Sequence, residues 1–320
     1  MSIFILLAGL AVLIIGGEFL VRGAVGFSRA MKISPLVIGM TVVAFGTSAP
    51  ELLVSLQSAV GGNPGIAIGN IVGSNIANIA LVLGVTVIVF PIIADKQTMR
   101  VDFPMMMLST LLLFYFASDG LLSLIEGIIL FSIILVFTTF IITKSRKKIK
   151  KKQAEDSNRL KKEPFSKSII FLLLGFVGLY FGSGWFIDGA VSISNYFLSE
   201  NPDKDTIIGA TVVAFGTSVP ELVTSCVAAY RKETDISLGN LIGSNIFNIL
   251  LVLGITSMVH PIEVTQEIIE FDMLYMIGIA ILLMFILAIG KKIGRIKGVI
   301  LMLSYIVYII IILLRVRGVI

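Results

Sequence analysis

Ten long apolar stretches follow one another along the chain, at about 2–21, 35–60, 65–90, 103–118, 121–143, 168–196, 206–230, 236–259, 271–289 and 297–314, separated by shorter polar or charged segments. Stretches of this kind are long enough to cross a hydrocarbon core of roughly 30 Å as helices. The pattern therefore predicts an all-α integral membrane protein with ten transmembrane helices. The first stretch has no basic segment ahead of it and contains Gly16, Gly17 and Glu18, which reads as a retained helix rather than a cleaved leader.

Two of the stretches are interrupted in the same way. "VVAFGTSAPE" (42–51) sets a glycine, two hydroxyls, a proline and an acid inside an apolar run, and "VVAFGTSVPE" (212–221) does so again. The likeness is wider than these ten residues. "IGMTVVAFGTSAPELLVS" (38–55) and "IGATVVAFGTSVPELVTS" (208–225) differ at four of eighteen positions. "IAIGNIVGSNIANIALVLGVT" (66–86) returns as "ISLGNLIGSNIFNILLVLGIT" (236–256) at the same offset of 170, and "FLVRGAV" (19–25) is echoed by "WFIDGAV" (185–191). Two motifs at one offset indicate duplication of a five-helix unit. Residues 1–143 form the first unit and 168–320 the second, joined by a basic connector, 144–167, read as solvated and flexible. Because five is odd, the second unit enters the membrane from the opposite face, giving two inverted five-helix repeats. Such an architecture brings discontinuous helices together near the midplane and points to a transporter.

The interruptions carry the chemistry. Pro50 has no amide hydrogen, so the Gly46 carbonyl loses its helical partner and Ala49 is pushed from helical torsions; Pro220 does the same to Gly216 and Val219. Broken helix at membrane depth persists only where protein, water or an ion satisfies the freed groups. Thr47 and Glu51 stand at i and i+4 on one helical face with Ser48 on the adjoining edge, and Thr217, Ser218 and Glu221 repeat this. Ser74 and Asn78, mirrored by Ser244 and Asn248, have the same spacing in the next helix. Carboxylate, hydroxyl, amide and carbonyl oxygens together suit a hard cation such as calcium or sodium. Each central acid is disfavoured by roughly 2.5–3.5 kcal/mol on insertion scales. No Lys or Arg lies near mid-span to pair with Glu51 or Glu221, so protons or a bound cation must compensate them. Gly69 with Gly73, and Gly239 with Gly243, also make the small-xxx-small spacing of close helix packing. That accounts for the glycines but not for Asn70, Ser74, Asn75 and Asn78 beside them. Glu18, Glu126 and Asp188, nearer the helix ends, read as interfacial contacts.

Composition agrees with the pattern: 57 % of residues are hydrophobic, 14 % are charged, and the mean hydropathy is +1.02. The net charge of +5 does not call for a nucleic-acid partner once the basic residues are sorted by membrane side. With ten spans, 22 of the 25 Lys and Arg fall on one face and only Lys204, Arg315 and Arg317 on the other. The positive-inside rule puts the first set in the cytoplasm, with both termini outside. Cys226 is the single cysteine, without an evident partner, and His260 the single histidine, which excludes an internal disulfide and argues against a zinc or soft-metal centre.

"GTSAPE" with "GSNIAN", and "GTSVPE" with "GSNIFN", resemble the paired signature repeats of the sodium/calcium exchanger family, within the cation/calcium antiporter superfamily. The resemblance spans the whole chain, and its short connector is similar to the compact prokaryotic type, without the calcium-sensing domains that animal exchangers carry there. It implies a multi-pass cell-membrane antiporter, not an enzyme, with Ca²⁺ and Na⁺ as substrates, the lipid bilayer as surroundings, and neither cofactor nor obligate protein partner. It further implies a central calcium site of Glu51, Glu221, Thr47 and Thr217. Flanking sodium sites would use Ser48, Ser74, Asn78, Ser218, Ser244, Asn248 and the carbonyls of Ala44 and Ala214. One position departs from part of the family: potassium-dependent exchangers and some prokaryotic relatives have Asp where this chain has Asn248, which leaves two site carboxylates and weakens the case for potassium co-transport. Calcium/proton or other cation/calcium exchange on the same scaffold is the alternative, with protons on Glu51 and Glu221 in place of sodium. A channel is a further class. An intramembrane hydrolase built on Ser48 lacks a base in register.

Overall fold

Each apolar stretch that the structure describes is helical. The structure is a computed structural model describing residues 2–94, 96–155, 164–197, 214–290 and 292–316. In chain order the helices are α1 (Ser2–Met31), α2 (Pro35–Thr47), α3 (Ala49–Val60), α4 (Pro64–Val89), α5 (Thr98–Ala117), α6 (Leu124–Glu155), α7 (Phe165–Phe197), α8 (Ala214–Thr217), α9 (Val219–Tyr230), α10 (Thr234–Val259), α11 (Ile268–Ala288) and α12 (Arg295–Val316). Among the described residues, eight of these are long and apolar enough to cross a membrane, and α2 with α3, bent by 43°, make a ninth span. This is a multi-pass membrane protein. The stretch expected over 206–230 is described from Ala214 onward as α8 and α9; residues 206–213 lie outside the described residues.

Local signals set the helix starts. Ser34 caps α2, its Oγ accepting from the Val37 amide at 3.4 Å, with Pro35 in the first turn where a missing N–H costs nothing. Ser123 and Glu126 form a reciprocal capping box at α6: the Glu126 carboxylate accepts from the Ser123 amide at 2.7 Å and the Ser123 Oγ accepts from the Glu126 amide at 3.4 Å. Two boundaries differ from the expectation. Helix α1 continues ten residues past 21, so Glu18 lies inside a helix rather than near an end, ion-paired with Arg22 and with Arg231. Helix α6 runs on to Glu155 and α7 starts at Phe165, so the connector expected over 144–167 is helical at both margins; 156–163 lie outside the described residues. Hydropathy ends where the apolar run ends, whereas Lys and Arg are good helix formers and let the backbone continue.

Helices α4 and α10 are largely enclosed by protein, while α1, α6, α7 and α12 turn most of their apolar surface outward, as a lipid-facing shell does. On one side α1 and α7 pack against each other along their length through glycines. A Cβ at Gly16 would stand 2.8 Å from the Leu179 nitrogen, so nothing larger than hydrogen fits there. Four two-residue strands pair antiparallel as clips: β1 (Ile92–Ile93) with β4 (Lys292–Ile293), and β2 (Leu121–Leu122) with β3 (Ile262–Glu263). Each clip joins one half of the chain to the other.

Candidate cation site

The break in the second span falls at Ser48, with φ −84° and ψ 3°, and Ser218 in the second half has φ −88° and ψ 0°. This corrects the expectation that Ala49 and Val219 leave helical torsions: they are the first residues of α3 and α9. Pro50 and Pro220 then occupy first-turn positions, which proline tolerates, and the residue ahead of the new helix absorbs the distortion. The Gly216 carbonyl, deprived of its helical donor by Pro220, accepts from the Ser183 hydroxyl at 3.4 Å. The Ala44 carbonyl accepts from the Ser48 amide at 2.9 Å, with Thr47 Oγ1 3.3 Å away, leaving it less free than an open carbonyl.

Glu51 and Glu221 start the helices that follow the breaks, one from each half, and both side chains are 0 % exposed. They lie close enough to repel one another electrostatically. Among the described residues none of their four carboxylate oxygens has a hydrogen-bond partner of good geometry, although the hydroxyls of Thr47 and Ser244 stand beside Glu221. Among the described residues the hydroxyls of Ser48, Ser74 and Ser218, both amide atoms of Asn78 and the Asn248 oxygen are buried and unpartnered as well. Buried polar atoms are ordinarily satisfied, and an unpaired buried carboxylate costs several kcal/mol. Bare buried oxygens on the helices that carry Glu51 and Glu221 and on their neighbours make these residues candidates for holding a cation. Thr217 is also buried, and Ala214 opens α8 two residues before Gly216.

Hydrogen bonds across the two halves hold this arrangement. Thr47 Oγ1 lies 3.1 Å from Asn240 Oδ1, to which it donates, and 3.2 Å from Ser244 Oγ. Asn240 is itself oriented by donating to Ser225 Oγ at 3.1 Å, and the equivalent Asn70 donates to Ser55 Oγ at 3.3 Å. Asn248 Nδ2 donates to Asn75 Oδ1 at 3.1 Å, while the Asn248 oxygen is among the unpartnered atoms; Asn75 Nδ2 donates to the Asn245 carbonyl at 3.3 Å.

A model of the family described as sodium/calcium exchanger protein matches residues 1–143 and 167–314. The chain belongs to the sodium/calcium exchanger family. Its relatives include the provisionally named antiporter CaxA of Alkalimonas amylolytica, 37 % identical over 96 % of this chain and 97 % of that one. The sodium/calcium exchanger MaX1 of Methanosarcina acetivorans is 31 % identical over 97 % of this chain and 98 % of its own. Among solved structures, the sodium-calcium exchanger NCX_Mj soaked with 2.5 mM Na⁺ and 0.1 mM Ca²⁺ superposes with a TM-score of 0.81 at 33 % identity, covering 96 % of this chain and 97 % of that one.

Several features of this exchanger-family chain escape the sequence pattern. Asn240 and Ser225 support Thr47 from the other half; their only signal is that both recur at the repeat offset from Asn70 and Ser55. Widened π-helical turns begin at Asn78 and Asn248, in α4 and α10, where such turns re-aim side chains. Gly239 and Gly243 do serve close packing: a Cβ at Gly243 would lie 2.7 Å from the Met40 Cα. Gly69 and Gly73, in contrast, have nothing within 4 Å of a Cβ among the described residues. Cys226 proves to have a neighbour, Thr86 Oγ1 at 3.6 Å, and His260 is exposed at the end of α10.

Proposed function

We propose that this protein is a secondary active antiporter that exchanges Na⁺ for Ca²⁺ across the cell membrane by alternating access, extruding calcium. The observation that carries this reading is the pair of fully buried carboxylates, Glu51 and Glu221, whose oxygens have no hydrogen-bond partner of good geometry among the described residues, together with the buried, unpartnered polar atoms of Ser48, Ser74, Asn78, Ser218 and Asn248. In this reading Ca²⁺, which takes six to eight oxygens, is held by Glu51, Glu221, Thr47 and Thr217. Sodium ions use Ser48, Ser74, Asn78, Ser218, Ser244, Asn248 and the carbonyls of Ala44 and Ala214. Two carboxylates neutralise one calcium ion or a set of sodium ions but not both sets together, so competition for Glu51 and Glu221 couples the two fluxes. With three sodium ions per calcium each cycle moves one net charge, driven by about 2.3 kcal/mol per 100 mV.

The same reading takes the chain as ten transmembrane helices in two inverted five-helix repeats, with both termini outside. Two patterns support it. The equivalents of Ser55–Asn70 at an offset of 170 are Ser225–Asn240, and both pairs are hydrogen-bonded alike. The two strand clips also exchange between the halves, β1 with β3 at an offset of 170 and β2 with β4 at 171, as an internal twofold axis demands.

Purified protein in proteoliposomes tests the function. ⁴⁵Ca²⁺ uptake is expected when vesicles are loaded with Na⁺ and not when they are loaded with K⁺ or given a pH step alone. Uptake driven by the pH step without sodium would replace this reading with calcium/proton exchange, and flux with no counter-cation at all would replace it with a channel.

A further inference from the structure

A polar cavity of about 370 Å³ opens at the basic end of the molecule, with neither Glu51 nor Glu221 in its lining. Four cations from three separate helices or their ends line it: Arg22 and Arg29 on α1, Lys167 near the start of α7, and Arg231 just after α9. Its remaining wall is apolar, with Val25 and the Phe171 ring, over which the Lys167 ammonium sits 5.5 Å from the centroid. The acids facing it are fewer. Glu18 is engaged by both Arg22 and Arg231, and among the described residues Glu233 is the one acid in the lining itself. The cavity therefore carries an excess of positive charge around a space the size of a phosphate-bearing group, beside outward-facing apolar surfaces of α1 and α7.

We propose that this cavity binds the phosphodiester headgroup of an anionic phospholipid, with Arg29 and Lys167 as its principal phosphate contacts and Phe171 and Val25 flanking the glycerol backbone. A free phosphate shares the charge but has no use for the apolar wall; a lipid uses both. Basic pockets between membrane helices on the positive face are where anionic lipids are recognised. Because the lining spans α1, α7 and the end of α9, the bound lipid also ties the α1–α7 pair to the helix that carries Glu221.

The test uses the full chain in neutral detergent. Thermal unfolding and native mass spectrometry are followed while a phosphatidylglycerol, a phosphatidylcholine with the same acyl chains, or sodium phosphate is added. Phosphatidylglycerol is expected to raise the melting temperature by several degrees and to remain bound as one retained lipid per chain; the other two are not. In the Arg29→Gln/Lys167→Gln double variant the retained lipid and most of the shift are expected to disappear. The Lys147→Gln/Lys150→Gln control, on the exposed basic end of α6, is expected to keep both. Retained lipid that is undiminished in the double variant, or a shift given equally by phosphatidylcholine, overturns the proposal. A shift given by phosphate alone and lost in the double variant overturns its lipid assignment. If the double variant melts below the parent without lipid, the retained-lipid count decides.

Discussion

Replacing either buried acid by its amide removes one of the two carboxylates on which the proposed site depends. Glu51→Gln and Glu221→Gln are each expected to weaken calcium handling by more than about 100-fold, since leaving a buried charge without its partner costs about 3–5 kcal/mol. Sodium-driven ⁴⁵Ca²⁺ uptake in proteoliposomes measures this, with a melting curve showing that the variants are folded. Thr47 contributes more modestly. Thr47→Val deletes the hydroxyl between Asn240 and Ser244 and leaves the Asn240 oxygen without that donor, so the calcium concentration for half-maximal exchange is expected to rise about 5- to 10-fold; Thr47→Ser should restore it. The acids, hydroxyls and amides of the cavity are legible in the sequence because they recur at a fixed offset and because buried charge without a basic partner needs a reason. What holds them is not legible. Asn240 meets Thr47 across 193 positions, and no local spacing encodes a contact between the two halves.

The bent span shows how an element is tuned by one residue. Pro50 opens the turn at Ser48, and because it sits in the first turn of α3 it does so at little cost to the helix. Pro50→Ala returns an N–H to the backbone, allowing α2 and α3 to approach one continuous helix. Exchange is expected to fall about tenfold, equivalent to 1.4 kcal/mol, with a melting temperature equal to or above that of the parent. A variant with parental exchange would show that the break is dispensable. Hydropathy located the helices well, since membrane spans are read from apolar length, but missed where α1 and α6 extend into charged sequence. It also missed the π-helical turns at Asn78 and Asn248, because one extra residue per turn leaves the apolar pattern of a buried helix almost unchanged.

At the scale of the whole molecule, duplication with an odd number of spans requires equivalent turns to lie on opposite faces. In a Cys226→Ser background, single cysteines at Lys32 and Lys232 are expected to react with an impermeant thiol reagent from one side of the membrane and those at Asn63 and His260 from the other. Labelling of positions 32 and 232 from opposite sides would break the ten-span inverted arrangement. In the proposed arrangement Glu51 and Glu221 reach one cavity from opposite faces, and that shared cavity is the central claim. Equilibrium binding of ⁴⁵Ca²⁺ to the purified protein, titrated with Na⁺, tests it most directly. One calcium ion per chain, displaced by sodium with a Hill coefficient above one and lost in both Glu51→Gln and Glu221→Gln, is the predicted result. Calcium bound with parental affinity by either folded variant, or left in place by saturating sodium, would contradict it.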